Sequence, residues 1–370
     1  MPAQLRVWIW TDLSGSWAAV VTLSLKKIVV ALSLGAFLAA GPSIVVTPVQ
    51  AATTQKAKTS GVKKTSAKKT SAKKSVKRTN SRKSLAKAKH AVKKSKKPRR
   101  QARRRATAPS QATLAGLRQT PDLLSLGSSV ALAVDQDTGE ELFSKNAGIE
   151  LPIASVTKLM TALVIAESGL KMDERIRITR EDYVRSNARS KLRSGMRMTR
   201  GAVLKAALMS SDNRAATALA RTYPGGRKAF VRKMNETAAR LGMTDSVFAD
   251  PSGLDNRNHA TARDLAKLVA EAHKHEVIRD SSTMQFSSIR AGRQQLKLVT
   301  TNRLIGNPDW NIGVQKTGFT TAAGRCMVVQ SEFADRRVVM VLLDSPNSAQ
   351  RAADMQTMRT FVENEDRINE

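Results

Sequence analysis

Three short stretches carry side chains that could perform nucleophilic chemistry, and the first lies in the apolar run 153–166. Ser155 and Lys158 are three residues apart there, in a stretch without proline whose residue types favour a helix that Gly169 ends. Residues three apart share a helix face, so a neutral lysine amine could take the serine proton and activate the hydroxyl. The alternative is a serine that only caps the helix, because Ser-x-x-Lys also recurs in lysine-rich parts of the chain.

The helix that holds this pair is apolar almost all round, which is typical of a buried helix. A hydroxyl and an amine in a dry interior cost free energy unless they have partners. Paired and perturbed groups of this kind are typical of catalytic sites, so the pair is a candidate nucleophile and base.

Two further stretches carry polar side chains beside predicted elements. Residues 211–213 (Ser-Asp-Asn) lie between two predicted helices, where they could also be simple N-capping residues. Residues 316–318 (Lys-Thr-Gly) belong to a predicted strand, and the glycine would let a substrate or another backbone approach closely. The alternative for the second stretch is an edge lysine followed by a turn.

Hydrophobic periodicity and turn residues predict a hairpin, the helix of Ser155, a helical middle and a strand-rich last third. The predicted strands are 130–135, 141–144, 175–179, 284–289, 295–299, 312–317, 326–331 and 337–343, and the other predicted helices are 202–208, 215–221, 227–241, 262–273 and 349–363. Strands at both ends of this region predict one sheet completed by the C-terminal strands, with helices packed on it and a helical lobe inserted.

The formal charge of +33 is concentrated in one part of the chain. Residues 53–109 contain 23 Lys and Arg and no Asp or Glu, whereas residues 110–370 contain 37 basic and 29 acidic residues. A low-complexity segment that repels itself and has few large apolar residues is predicted to be disordered. We therefore divide the chain into a Lys/Arg-rich linker at 52–109 and a folded domain at 110–370.

The N-terminal region predicts export. Lys26 and Lys27 precede an apolar run that reaches small residues near Ala51, the pattern of a secretory signal peptide spanning 1–51. The alternative is an uncleaved membrane anchor. Residues 1–25 form an unusual extension, which a start codon assigned too early would explain. We expect a periplasmic protein, with association to the membrane or the wall as an open alternative.

The predicted export of the chain bears on which anionic partner the basic linker could bind. Its composition alone fits nucleic acid, which binds basic segments through phosphate charge. In an exported protein the available anions are phospholipid head groups, lipopolysaccharide phosphates and acidic wall polymers, so nucleic acid is the disfavoured partner. A solvated spacer without a fixed partner is the alternative.

Cysteine and histidine positions argue against disulfide and metal chemistry. Cys326 is the only cysteine, which excludes an intrachain disulfide and a multi-cysteine metal site. His273 and His275 point to different faces of a predicted helix, so no metal site and no cofactor are predicted. The arginines in 185–197 predict a solvated basic loop, and contact with acidic groups of a substrate is the alternative.

Taken in order, Ser-x-x-Lys, Ser-Asp-Asn and Lys-Thr-Gly resemble the low-molecular-mass penicillin-binding proteins, the D-alanyl-D-alanine peptidases. The stretches 248–254, 261–267 and 323–328 support this resemblance, which covers about residues 110–360. It implies an α/β (α+β) fold of the β-lactamase and transpeptidase type, in which helices flank an antiparallel sheet and a helical lobe is inserted.

The resemblance implies catalytic roles residue by residue. Ser155 would be the nucleophile, Lys158 the base that takes its proton, and Ser211 a relay of the proton toward the leaving amine. The backbone N–H groups of Ser155 and Phe319 would form the oxyanion hole. We expect a second ammonium at Lys316, together with burial, to lower the pKa of Lys158.

The resemblance also implies a substrate-binding set. Asn213 would hold Lys158 and the substrate amide, Lys316 and Thr317 would bind the polar end of the substrate, and Gly318 would keep the strand clear for it. Peptidoglycan cross-links are the implied substrate, and β-lactams are the implied inhibitors.

Four functions remain, of which a peptidoglycan endopeptidase acting through an acyl-serine is favoured. The chain leaves room for only one helix after its last predicted strand, and 324–326 resembles the endopeptidase branch of the family. Arg325 is a candidate for receiving a substrate carboxylate. The alternatives are a D-alanyl-D-alanine carboxypeptidase, a β-lactamase, for which no deacylating glutamate stands out, and a polyanion-binding protein.

Overall fold

The computed structural model describes residues 108–369 except 334 and 335. The predicted signal peptide and almost all of the predicted basic linker lie outside the described residues. The strands are β1 Val130–Asp135, β2 Glu141–Lys145, β3 Leu151–Pro152, β4 Arg175–Arg177, β5 Arg197–Thr199, β6 His259–Ala260, β7 Phe286–Ala291, β8 Gln294–Val299, β9 Asn311–Thr320, β10 Gly324–Phe333 and β11 Arg336–Ser345. The helices are α1 Gln111–Leu114, α2 Thr157–Glu167, α3 Arg200–Met209, α4 Asn213–Arg221, α5 Gly226–Arg240, α6 Ala262–His273, α7 Glu276–Thr283 and α8 Ser348–Asn369.

The main sheet has five strands in the order β2-β1-β11-β10-β9, and every pair is antiparallel. The N-terminal hairpin therefore joins the three C-terminal strands, with Val130 opposite Leu343. Strand β9, which carries Lys316, lies at the edge of this sheet. The prediction of one sheet completed by C-terminal strands is confirmed for these five strands.

The central strands are apolar at nearly every position because both faces of the sheet are covered. In β1 the side chain of Leu132 lies in one core and that of Ala133 in the other, and in β11 Val341 and Leu342 divide in the same way. Helix α6 packs on one face, over β11, β10, β9 and β1, and α8 packs on the other face against β10 and β11. The predicted layers of helices flanking an antiparallel sheet are confirmed.

The helical lobe is formed by the chain between β3 and β9, where α2 contacts α3, α4, α5, α6 and α7. Helix α2 is buried along its length, as its apolar sequence predicts. Helix α6 begins after Thr261, whose side chain accepts a hydrogen bond from the Asp264 backbone N–H, and it has the predicted bounds. None of the helices in the described part of the chain is long and apolar enough to cross a membrane.

The main differences from the predictions lie between α6 and β9, and some short elements (α1, β3, β5 and β6) were also not predicted. Strands β7 and β8 pair only with each other and form a separate hairpin, because most of their side chains are exposed and they offer too little apolar surface for a place in the main sheet. Helix α7 was not predicted, since its sequence (Glu-Val-Ile-Arg-Asp-Ser-Ser-Thr) is polar, short and weak in helix propensity.

Candidate active site

Ser155 lies in the 3-10 turn Ala154–Val156, immediately before α2 and not within its first α-helical turn as predicted. The backbone of Ala154 is left-handed, with φ of 47°, which costs a residue with a side chain about 1–2 kcal/mol. The Thr157 hydroxyl donates to the Ala154 carbonyl oxygen at 2.8 Å and holds this conformation. The strained turn presents Ser155, which is partly exposed, at the end of a buried helix.

Lys158 is fully buried, and its amine contacts three oxygens. These are Ser155 Oγ at 2.8 Å, Asn213 Oδ1 at 2.7 Å and the Ser252 carbonyl oxygen at 2.6 Å. A neutral amine has two N–H donors and one lone pair, and the amide and carbonyl oxygens can only accept. With both donors used in this way, the lone pair faces the serine hydroxyl, which then donates to the amine.

The pKa of Lys158 supports this neutral state. Burial lowers the pKa of the amine from its usual 10.5 to about 7, although the negative charges of Asp250 and Asp212 oppose the shift. We expected both burial and Lys316 to lower this pKa. Burial is the leading cause, and Lys316 is not among the causes. The pKa of Lys316 falls well below its usual value through burial first, and then through the charges of Lys158 and Arg351.

This pKa predicts how acylation depends on pH. Below pH 7 Lys158 binds a proton and loses its lone pair, so the acylation rate should fall about tenfold for each pH unit and level off above about pH 8. The measurement is the second-order rate constant for labelling by a fluorescent penicillin between about pH 5 and 9. An unchanged rate over this range would contradict the assignment of the base.

Residues 211–213 serve both as a helix cap and as site residues. The Asp212 side chain accepts from the Ala215 backbone N–H and caps α4, while Asn213 is its first residue. Ser211 has a left-handed φ of 55°, and its hydroxyl accepts from Lys316 Nζ at 3.0 Å. This stretch therefore caps α4 and also contributes side chains to the cleft, so the two interpretations are compatible.

Strand β9 passes directly beside the turn that holds Ser155. A Cβ at Gly318 would lie 2.9 Å from the Ile153 carbonyl oxygen and 3.1 Å from the Ser155 nitrogen, so only glycine allows this approach. Lys316 is fully buried and also donates to the Thr317 carbonyl oxygen at 2.8 Å. These contacts bring the lysine of β9 and the serine of the turn into one cleft.

The cleft is still closed at Thr317 and opens at Phe319. The hydroxyls of Thr317 and Thr301 lie 2.6 Å apart, and Thr317 is 6% exposed. The ring of Phe319 is 51% exposed, and the guanidinium of Arg325 lies 4.5 Å from its centroid. The positive charge of Arg325 and the exposed ring of Phe319 thus lie together at the rim of the cleft, where a long substrate would extend out of the site.

Sequence reasoning gave no role to the turn that supports Lys158. The Asp250 carboxylate accepts from the backbone N–H groups of Ser252 and Gly253 at 2.5 and 2.8 Å, which aims the Ser252 carbonyl at Lys158. A Cβ at Gly253 would lie 1.8 Å from the Ala154 carbonyl oxygen. The available signal was the stretch 248–254, which carried the family resemblance without a function for its residues.

The sequence pattern also gave no role to Arg351. It is 7% exposed, donates through Nη1 to the Cys326 carbonyl oxygen at 3.1 Å, and has no ion-pair partner among the described residues. Its buried Nε has no hydrogen-bond partner there, and burial lowers the pKa of the guanidinium to about 10. A buried, unpaired cation near Lys316 makes this end of the cleft suited to an anionic group.

The arrangement of acidic and histidine side chains does not favour a metal centre. Ligand atoms of Glu167, Glu271 and His275 lie within 4.8 Å of one another. Arg240 already pairs with both carboxylates, at 2.6 Å for Glu167 and 3.8 Å for Glu271, so a cation would compete with an existing guanidinium. His273, on α6, is not part of this group.

Comparisons with known proteins identify the family. Residues 117–347 match the model of peptidase family S11, described as D-alanyl-D-alanine carboxypeptidase. The chain is 40% identical to a D-alanyl-D-alanine endopeptidase of Pseudomonas aeruginosa and 36% identical to one of Escherichia coli, in each case over 64% of this chain and 78% of the relative. Penicillin-binding protein D2 of Listeria monocytogenes, in its ampicillin-bound form, is similar with a TM-score of 0.58 and 28% identity, covering 65% of this chain and 99% of that protein. The chain belongs to the S11 family of D-alanyl-D-alanine peptidases, which are serine hydrolases with the β-lactamase-like fold.

Proposed function

We propose that this protein is a penicillin-sensitive D-alanyl-D-alanine endopeptidase that hydrolyses peptidoglycan cross-links through an acyl-serine. The single observation that carries the proposal is the Lys158 amine, which lies 2.8 Å from Ser155 Oγ with its other contacts on two acceptor oxygens. The names of the two similar endopeptidases support cleavage of cross-links.

Acylation follows from this geometry. Lys158 takes the proton from Ser155 as Oγ forms a bond to the carbonyl carbon of a D-alanine, and the carbonyl oxygen gains negative charge. The Ser155 nitrogen lies beside Gly318, where the backbone N–H can donate to that oxygen. Collapse of the intermediate breaks the amide bond, and the leaving amine takes a proton.

The proton that Lys158 took from Ser155 must reach the leaving amine, and we propose the Ser211 hydroxyl as the group that relays it. This hydroxyl lies 3.0 Å from Lys316 Nζ, whose pKa is lowered, so a proton can pass between them without leaving the cleft. Once that relay has left Lys158 neutral again, water attacks the acyl carbonyl, Lys158 accepts a proton from the water, and this proton passes to Ser155 Oγ as the acyl bond breaks. Each cycle consumes one water and releases one amine and one carboxylate.

Charge at the far end of the cleft orients the substrate. Lys316, Thr317 and Arg351 place an amine, a hydroxyl and a guanidinium where a carboxylate of the substrate can bind. Arg325, stacked on Phe319, extends this positive surface to the exposed rim. A peptide that continues beyond the scissile bond meets charge at the rim as well as inside, which favours an endopeptidase.

The test compares substrates on the purified full chain. We expect cleavage of cross-linked muropeptide dimers to exceed release of free D-alanine from a monomeric pentapeptide, and penicillin to acylate Ser155 with a mass adduct. The Ser155→Ala variant should show neither activity nor adduct. Faster release of D-alanine from the pentapeptide would indicate a carboxypeptidase, and an adduct that persists in Ser155→Ala would refute the acyl-serine.

We further propose that the protein acts in the periplasm. The signal-like segment at 1–51 and a peptidoglycan substrate support this location. The basic segment at 52–109 would then hold the enzyme near anionic membrane or wall polymers through charge that salt screens. Nucleic acid is a disfavoured partner in that compartment.

A further inference from the structure

An arginine-lined groove lies on the helical lobe, outside the catalytic cleft. It has a volume of about 510 Å³ and is bounded by β4, by the segment 193–197 that leads into β5, and by the tip of the β7–β8 hairpin. The hairpin tip is fixed there because the Gly292 backbone N–H donates to the Arg197 carbonyl oxygen at 3.1 Å. Four arginines line this groove, namely Arg175, Arg193, Arg197 and Arg293.

Within the described part of the chain, no carboxylate compensates the charge of this groove. The four guanidinium groups form no ion pair within the described residues, and no Asp or Glu lines the groove. Some arginines elsewhere on the described domain have carboxylate partners, among them Arg118, Arg200, Arg221, Arg240, Arg257, Arg263, Arg337 and Arg359, and others, such as Arg351, do not. Exposed cations that line one groove without carboxylate partners are suited to an external anion, because guanidinium groups bind carboxylates and phosphates through paired N–H donors.

The groove is connected to the catalytic cleft by β8. Near the cleft, the Ser210 hydroxyl donates to the Val299 carbonyl oxygen at 3.2 Å, and a second cavity of about 220 Å³ lies between Lys191, Asp212 and Val299. Further along, Lys191 Nζ donates to the Lys297 carbonyl oxygen at 2.5 Å. The five steps from Val299 to Gln294, at the groove, span about 17 Å of extended strand.

We propose that this groove is a secondary binding site for carboxylate groups of the cross-linked polymer whose bond is cut at Ser155. An extended peptide of about five residues covers the same distance as β8, so a peptide seated in the cleft can also reach the groove. Peptides of the wall carry free carboxylates along their length, whereas a small β-lactam occupies only the cleft. The site therefore distinguishes polymer from small ligands. This inference rests on the proposed peptidoglycan function.

The test uses the full chain with Arg193→Gln and Arg293→Gln combined, since both residues lie in exposed turns. The matched control is Lys228→Gln with Arg232→Gln, which removes the same charge from the exposed face of α5. Each protein is assayed on cross-linked muropeptides at low salt, both unmodified and with their carboxylates amidated, and acylation by penicillin is the reference reaction. Association with phosphatidylglycerol vesicles is measured in parallel.

We expect the groove variant to raise KM for unmodified polymer at least fivefold with little change in kcat, and the control to match the unaltered protein. Amidation should raise KM for the unaltered protein more than for the groove variant. Equal KM values for the groove variant and the control would overturn the inference, as would reduced vesicle binding with unchanged polymer cleavage, which would assign the groove to lipid phosphate. Loss of penicillin acylation in the unaltered chain would instead refute the proposed function.

Discussion

Replacing Lys158 by methionine should lower the rate of acylation by penicillin about 1000-fold, the range expected for loss of a positioned general base. Methionine fills a similar volume and carries no charge, and an amine with a pKa of about 7 is largely neutral above that pH. The loss of donors to Asn213 and Ser252 is offset by removal of a buried amine, so the melting temperature should change little. Stopped-flow acylation and thermal unfolding measure the two quantities.

Lys145 provides a matched control for this prediction because it is also buried, at 3% exposure, but pairs with Asp122 at 2.8 Å. Lys145→Met should leave the carboxylate buried without its partner and cost about 3–5 kcal/mol of unfolding free energy. Acylation of the folded protein should persist. A rate in Lys158→Met within tenfold of the unaltered enzyme would show that Lys158 is not the base.

The substitution Gly253→Ala should destabilise the domain by about 3 kcal/mol and strongly reduce acylation. Its Cβ would lie 1.8 Å from the Ala154 carbonyl oxygen and 2.3 Å from the Ala154 carbonyl carbon, so backbone must move. Gly253 also has a φ of 80°, which an alanine adopts at a cost of about 1–2 kcal/mol. Displacing this contact shifts the turn that holds Ser155 and the Ser252 carbonyl together.

The substitution Gly139→Ala is a control that separates the effect of the steric clash from the effect of the left-handed backbone. Gly139 has a φ of 78° and open space around the position of a Cβ, and it lies in the β1–β2 turn. Gly139→Ala should therefore cost only about 1 kcal/mol and leave acylation unchanged. If chemical denaturation and acylation assays give Gly139→Ala and Gly253→Ala the same losses, the close approach to Ala154 has no special role.

Local signals explain why much of the fold could be predicted. Helix α6 has the predicted bounds because Thr261 caps it and its apolar side chains repeat with helical spacing. The sheet strands could be located because both faces are buried and the sequence is apolar throughout. The separate β7–β8 hairpin could not be assigned, since strand periodicity does not specify which strand is the partner.

The site shows the same division between local and tertiary information. The spacing of Ser155 and Lys158 placed the two groups within reach, and the 2.8 Å contact agrees with that expectation. The 3-10 turn at Ser155 depends on the approach of Gly253, about 100 residues later in the chain, which no local pattern reports. Depth of burial, which sets the pKa of Lys158, is likewise a property of the packed domain.

The burial of the single thiol affects how the domain reacts with oxidants and alkylating reagents. Cys326 is fully buried on β10, and burial raises its pKa to about 12, so almost no thiolate exists near neutral pH. Oxidants and alkylating reagents attack the thiolate, and the folded domain therefore protects its only cysteine from sulfenic acid formation and from mixed disulfides. In an oxidising compartment this chain stays free of covalent dimers for as long as β10 remains packed, and modification of the thiol marks molecules in which that strand has opened.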